Sequence, residues 1–200
     1  MHLCLIATTR GRDNALLERF FSSLARQEYK DFELILGDQN LPGHIDPLLQ
    51  KYERLFPCKR FFLAPCGLSE ARNRLLTMTT GEYVILADDD CHYAPDSFAR
   101  MVCYAERYPE AAALIAKGSP EIDALPAAKL ESPKLLSRYG VFKNAPSWCI
   151  FLRRDALIAV GPFDEDMGIG APTPWQSGEE TDILLRLITA GKAVYRAPSI

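Results

Sequence analysis

The chain alternates short, wholly apolar runs with longer segments whose apolar residues return every three or four positions. Residues 2–7 form the first apolar run and predict a buried strand, which ends in the polar turn Thr8-Thr9-Arg10-Gly11-Arg12. Beyond it, Leu16, Leu17, Phe20, Phe21 and Leu24 fall on one stripe of a helix, with Asp13 placed as its N-cap. The rhythm then repeats. Residues 32–36 predict a second strand, closed by Gly37-Asp38-Gln39-Asn40. Residues 47–56 predict a helix with proline in its first turn. A short third strand is expected over 60–63, and a helix capped by Ser69 runs to about Thr77. After Gly81, residues 83–87 predict a fourth strand that leads directly into Asp88-Asp89-Asp90. A helix from Pro95 to about Tyr108 and a strand over 111–116 follow.

Residues 118–146, with prolines at 120, 126, 133 and 146, break this alternation and read as an insertion. The pattern resumes with a strand over 148–152 and a short helix over 155–160. A long glycine- and proline-rich loop occupies 164–178. A helix over 179–190 should bury Ile183, Leu184, Leu187 and Ile188 and stop at Gly191, before a last strand over 193–195. Strands alternating with helices predict an α/β fold, with a mostly parallel sheet covered by helices on both faces. The strands are apolar throughout rather than alternating, as sheets covered on both sides require.

Length and composition narrow the class. With 200 residues, 48 % of them apolar, the chain suits one compact domain with a core of its own. The net charge of −3, with no long basic run, gives no footprint for nucleic acid. No apolar stretch approaches the roughly 18 residues that span a bilayer. The N-terminus lacks the charged and cleavable features of a signal peptide, so a cytoplasmic location is expected, the cytoplasmic face of a membrane included. The six cysteines form no Cys-x-x-Cys pair, which argues against a structural zinc site and for reduced thiols. Cys58 and Cys66 could pair in an oxidising compartment, although spacing alone does not show it. His44 and His92 stand alone, without a metal-binding pattern.

Candidate chemistry collects where strands end. In open parallel sheets ligands bind at the carboxyl ends of the strands. Thr8-Thr9, Asp38 and Asp88-Asp89-Asp90 all lie at such ends and should line one edge of the sheet. Two carboxylates about 4 Å apart repel by about 1 kcal/mol in water and about 4 at an intermediate dielectric. Three in a row at the end of a buried strand therefore suggest a hard divalent cation, Mg²⁺ or Mn²⁺, shared with substrate phosphates. The alternative is an acidic turn in which Asp90 or Asp96 caps the next helix. Ser177-Gly178-Glu179-Glu180 likewise reads either as a capping box or as the source of a general base. Gly67 to Asn73 opens a helix with Arg72 in its first turn, either facing solvent or binding an anion.

Taken in order, these segments resemble the family 2 glycosyltransferases of the GT-A fold over nearly the whole chain. Thr8-Thr9 is similar to the family's nucleotide-contacting turn, although the usual proline and Tyr-Asn pair are absent. Residues 32–38 resemble the second strand with its base-binding aspartate, and GLSEARN at 67–73 the segment whose arginine faces the nucleotide. GEYVILADDD at 81–90 resembles the strand delivering the Asp-x-Asp motif, and GEETD at 178–182 the motif with the catalytic carboxylate. The family often has aspartate where Glu180 stands, which leaves Glu179 as the alternative base.

The resemblance implies a single domain over 1–200, with residues 1–117 binding the nucleotide sugar and 118–200 serving the acceptor and catalysis. It also implies an inverting transfer from a nucleotide-sugar donor to a glycan, lipid-linked or small-molecule acceptor. The metal would be held through Asp90 with Asp88. Thr8, Thr9, Arg10, Asp38, Arg72, Asp88 and Asp89 would hold the donor, and the loop 168–178, with Trp175, would border the acceptor. The rival readings are a nucleotidyltransferase, for which Thr8 to Arg12 is a poor glycine-rich loop, and a nucleotide-sugar-binding domain without turnover.

Overall fold

In the computed structural model, residues 1–116, 131–144 and 149–197 are described. Their strands are β1 (Leu3–Thr9), β2 (Phe32–Asp38), β3 (Cys58–Phe62), β4 (Tyr83–Asp88), β5 (Ala111–Ala116), β6 (Lys134–Leu135), β7 (Ile150–Arg153) and β8 (Ala193–Ala197). The helices are α1 (Asn14–Ala25), α2 (Asp46–Tyr52), α3 (Leu68–Leu76), α4 (Ser97–Arg107), α5 (Arg138–Asn144), α6 (Arg154–Val160) and α7 (Glu179–Thr189). All eight strands join one sheet in the order β3-β2-β1-β4-β7-β5-β8-β6.

Each strand of the central group is apolar on both sides because both sides are covered. Along β1, Leu3, Leu5 and Ala7 point into a core built with Phe20, Leu24, Leu48, Phe98 and Met101 of α1, α2 and α4. Cys4 and Ile6 point the other way, towards Leu75 of α3, Leu157 of α6 and Ile183, Leu184 and Leu187 of α7. Helices α3 and α7 thus share one face of the sheet, which brings their first turns together. Ile188 is only partly buried at the rim of this second core.

The parallel pairs β3-β2-β1-β4 match the alternation read from the sequence. The far half of the sheet is mixed. Strand β7 runs antiparallel to both β4 and β5, and β6 antiparallel to β8, while β5 and β8 are parallel. An antiparallel strand buried on both faces is as apolar as a parallel one, so hydropathy does not record the reversal.

Asp13 caps α1 as expected, its Oδ1 accepting from the Ala15 N–H at 2.7 Å. Ser69 does not cap α3. Gly67 is the N-cap, and the Ser69 hydroxyl donates to the Met167 carbonyl at 2.6 Å. Helix α2 stops at Tyr52 rather than Phe56, and the chain continues through a turn over residues 53–55 before Pro57. Asp96 precedes α4 without a side-chain capping bond and pairs with Arg100 instead. All six cysteines are free, Cys58 and Cys66 included. Trp148 and most of the expected insertion lie outside the described residues; within it, β6 and α5 are seen. No described helix is long and apolar enough to cross a membrane.

Ile85 is fully buried at the centre of β4. Truncation there leaves a cavity that two packed layers cannot close, so Ile85→Ala should lower stability by about 2–5 kcal/mol. Urea unfolding should show a lower midpoint at unchanged slope; a loss below about 0.5 kcal/mol would mean that the site collapses freely.

Candidate functional site

Strand register sets the floor of the site. Thr8 pairs with Asp88 of β4, and Thr9 pairs with Asp38 of β2, so the three strand ends lie level. Above this edge opens a cleft of about 400 Å³, within the range of small-molecule sites. Thr8, Arg10, Asp88, Asp89 and Asp90 line it from the sheet side, and Glu179 and Glu180 from the start of α7. The expected convergence of separate motifs on one edge is therefore present.

The three aspartates do different things. Asp89 is buried, and its Oδ1 accepts from Arg12 Nε at 2.7 Å. Burial raises its pKa, an effect that Arg12 and Thr9 counter. Asp90 is 40 % exposed, 3.1 Å from Arg12 Nη1. Asp88, partly exposed, accepts from Arg72 Nη2 at 3.2 Å. Successive residues at a strand end point to different sides, so the three carboxylates do not converge on one point, and no trio of metal ligands forms among them. Two accessible hard-oxygen donors still fit a cation of the Mg²⁺ type, which takes one or two carboxylates and completes its shell with phosphate and water.

Arg72 is the centre of the arrangement and is 1 % exposed. Its Nη1 donates to Glu180 Oε1 at 2.6 Å and to Glu179 Oε1 at 3.0 Å. Its guanidinium lies over the Phe163 ring, 5.8 Å from the centroid. The capping box is not formed. Gly178 is the N-cap of α7 with φ +101, no side chain caps the helix, and Glu180 turns to Arg72. Glu179 Oε2 is buried without a hydrogen-bond partner. Burial, and next the Glu180 carboxyl, push Glu179 up to about 7.

Not every expected residue reaches the cleft. Asp38 is buried, held by Arg60 Nε and Nη2 at 2.8 and 2.6 Å and by Asn40 Nδ2 at 2.8 Å. Thr9 and Arg72 are also buried behind the wall. Trp175 is 68 % exposed on loop 164–178, outside the cleft lining. The loop itself is tied down. Leu68 N–H donates to Ile169 O, and the Gln176 side chain bridges Gly170 N–H and Ala171 O. Ile169, Gly170, Gln176 and Ser177 consequently become cleft wall. They belong to the loop 168–178 that the resemblance sets beside the acceptor, whereas Arg12, Gln39, Cys66 and Leu68 were not singled out as site residues. The signal for Arg12 was legible, a cation three residues beyond Thr9 at the end of β1; Cys66 and Leu68 carry no such signal.

Residues 4–161 match the family described as glycosyl transferase family 2. The chain belongs to that family. Its architecture is that of the GT-A glycosyltransferases. The family 2 domain superposes on S. aureus TarS with a TM-score of 0.76 at 17 % identity, covering 99 % of this chain and 37 % of TarS. A TarS fragment, 1–349, in complex with UDP-GlcNAc gives 0.71 at 17 % identity over 100 % of this chain and 59 % of that one. The mannosyltransferase PcManGT from Pyrobaculum calidifontis, in complex with GDP-Man and Mn²⁺, gives 0.75 at 16 % identity over 98 % and 55 %. The chain thus spans from about a third to three fifths of the length of these structures. No curated protein matches it significantly by sequence.

Glu179 makes the stability of the family 2 domain pH-dependent. Its folded pKa of about 7 lies above the ordinary 4.5, so folding favours the protonated form. That contribution is complete below the ordinary value and is lost as pH rises through about 7. Wild-type Tm should therefore fall relative to Glu179→Gln between about pH 5 and about pH 8. Parallel Tm profiles for the two proteins would contradict this.

Proposed function

We propose that this domain transfers a glycosyl group from a nucleotide-diphosphate sugar to an acceptor hydroxyl, with inversion at the anomeric carbon. The observation that carries the reading is the placement of Glu179 and Glu180 across one cleft from Asp88 and Asp90, with Arg72 joining the two sides. Membership of glycosyl transferase family 2 supports it. So do the nucleotide sugars named with two similar structures, UDP-GlcNAc and GDP-Man.

In this reading Asp90 and Asp88 hold a divalent cation, Mg²⁺ or Mn²⁺. When bound, such an ion neutralises the negative charge that develops on the departing diphosphate. Arg10 and Arg12 add positive charge to the same wall of the cleft. Gln39, directly after Asp38, lies on the cleft and offers an amide to the donor, while its Oε1 accepts from Cys66 N–H at 2.8 Å. Asp38 acts through its bonds to Arg60 and Asn40, which fix the second strand end beneath the base.

Glu180 is the general base. It is 7 % exposed against 3 % for Glu179, and both line the cleft. Burial holds Glu179 towards the protonated form, which cannot accept a proton. As the new glycosidic bond forms, the acceptor hydroxyl passes its proton to a Glu180 carboxylate oxygen. Arg72 keeps that carboxylate aimed along the cleft. The acceptor, a glycan, a lipid-linked sugar or a small molecule, would enter past loop 164–178, where the exposed Trp175 offers an aromatic face to a sugar ring.

Two substitutions test the reading with purified protein and a panel of nucleotide sugars. Glu180→Gln keeps the bond from Arg72 but accepts no proton, so turnover should fall by about 10²–10⁴-fold with donor affinity nearly unchanged. Wild-type turnover in Glu180→Gln removes it as the base; loss in Glu179→Gln alone moves the role one residue back. Asp90→Asn should abolish transfer, and so should excess chelator on the wild type. Full activity in either experiment would end the metal assignment.

A further inference from the structure

The opposite edge of the sheet, where the strands begin, carries a cluster that glycosyl transfer does not use. His2, Cys4 and Glu33 each bring one ligand atom within 4.8 Å of the others, the only such trio of His, Cys, Asp or Glu among the described residues. The placement follows from strand geometry. His2 and Cys4 are two residues apart and share a face, and Glu33 of β2 is the register partner of Cys4. Cys4 Sγ lies 3.3 Å from Glu33 Oε1, and His2 Nε2 lies 3.6 Å from the same oxygen. Zinc bonds of about 2.0–2.3 Å in a tetrahedron set neighbouring ligand atoms about 3.3–3.7 Å apart. Both measured edges fall in that window.

We propose that His2, Cys4 and Glu33 form a zinc site that pins the start of β1 to β2, with water as the fourth ligand on the half-exposed His2 side. An outer shell is already built. His2 Nδ1 is 2.7 Å from Asp31 Oδ1, the carboxylate–histidine contact that orients metal-binding imidazoles. Lys59 Nζ is 2.6 Å from the other oxygen of Glu33. The Gly81 N–H donates to Cys4 Sγ at 3.1 Å. A Cβ at position 81 would stand 2.7 Å from His2 O and 3.0 Å from the sulfur, so glycine alone lets that N–H approach. One thiolate, one imidazole and one carboxylate suit zinc rather than the oxygen-seeking cation proposed for the aspartate edge. As the Zn–S bond forms, the thiol proton leaves to water. The missing Cys-x-x-Cys pattern does not bear on this site, because its ligands come from two strands brought together by the sheet.

The test is Zn²⁺ binding to the chelator-stripped full chain, with Co²⁺ as a spectroscopic probe. One equivalent of Co²⁺ should give a near-ultraviolet thiolate charge-transfer band that Zn²⁺ abolishes, and Zn²⁺ should raise Tm. The band should disappear in Cys4→Ser and persist in Asp90→Asn. Asp31→Asn should weaken Zn²⁺ binding by about 10- to 100-fold. His2 is half-exposed, so His2→Gln keeps the fold and should weaken binding by at least about 10-fold even if Cys4→Ser folds poorly. No band in the wild type, a band surviving in folded Cys4→Ser, or wild-type affinity in His2→Gln would overturn the site.

Discussion

One buried guanidinium holds the two halves of the cleft in place. Arg72 sits in the first turns of α3, yet its partners are 107 and 108 residues away on α7 and 16 residues away at the end of β4. A cation with almost no contact with water is tolerable only because carboxylates surround it. The reverse also holds: Glu179 and Glu180 side by side at a helix start would repel without it. Removing one member of such a buried set leaves uncompensated charge and typically costs about 3–5 kcal/mol. The positions of α3, α7 and the strand end are thus coupled, and a shift in any one is opposed by the other two.

The loop 164–178 gains its order from the same region. Its glycines permit turns that other residues resist: Gly168 has φ +97, and a Cβ there would lie 3.0 Å from Ser69 Oγ and 3.1 Å from Glu179 Cδ. Gly67 and Gly170 pack so closely that a Cβ on Gly67 would meet the Gly170 carbonyl at 3.1 Å. The loop therefore closes over the start of α3 and the Arg72 cluster, and its backbone and Gln176 become cleft wall. Arg186 of α7 secures the other side, donating to the carbonyls of Val160, Gly161 and Pro162.

The two ends of the sheet favour different chemistry for a simple reason. At the carboxyl edge the strands open onto a cleft lined with oxygen donors and arginines, suited to phosphate and a hard cation. At the amino edge His2, Cys4 and Glu33 meet beneath Gly81 in a space set by packing, where a sulfur and an imidazole nitrogen take part.

The residue pattern by itself was enough for the strand–helix alternation, the level strand ends at Thr8, Asp38 and Asp88, and the motif order that marks family 2. These are local properties: hydrophobic period, turn residues and a carboxylate run are visible over ten residues or fewer. Three features needed the folded chain. Ser69 and Ser177 have the local chemistry of helix caps, but Gly67 and Gly178 take those places because the loop carbonyl of Met167 and the buried Arg72 offer partners from far along the chain. The reversal of β7 is invisible because burial on both faces erases the alternation that would mark an antiparallel strand. Arg72 read locally as either facing solvent or binding an anion, and only the placement of α3 and α7 on one face of the sheet brought it to Glu179 and Glu180. Propensity and periodicity describe a residue and its near neighbours; which distant charge it meets is decided by how the layers stack.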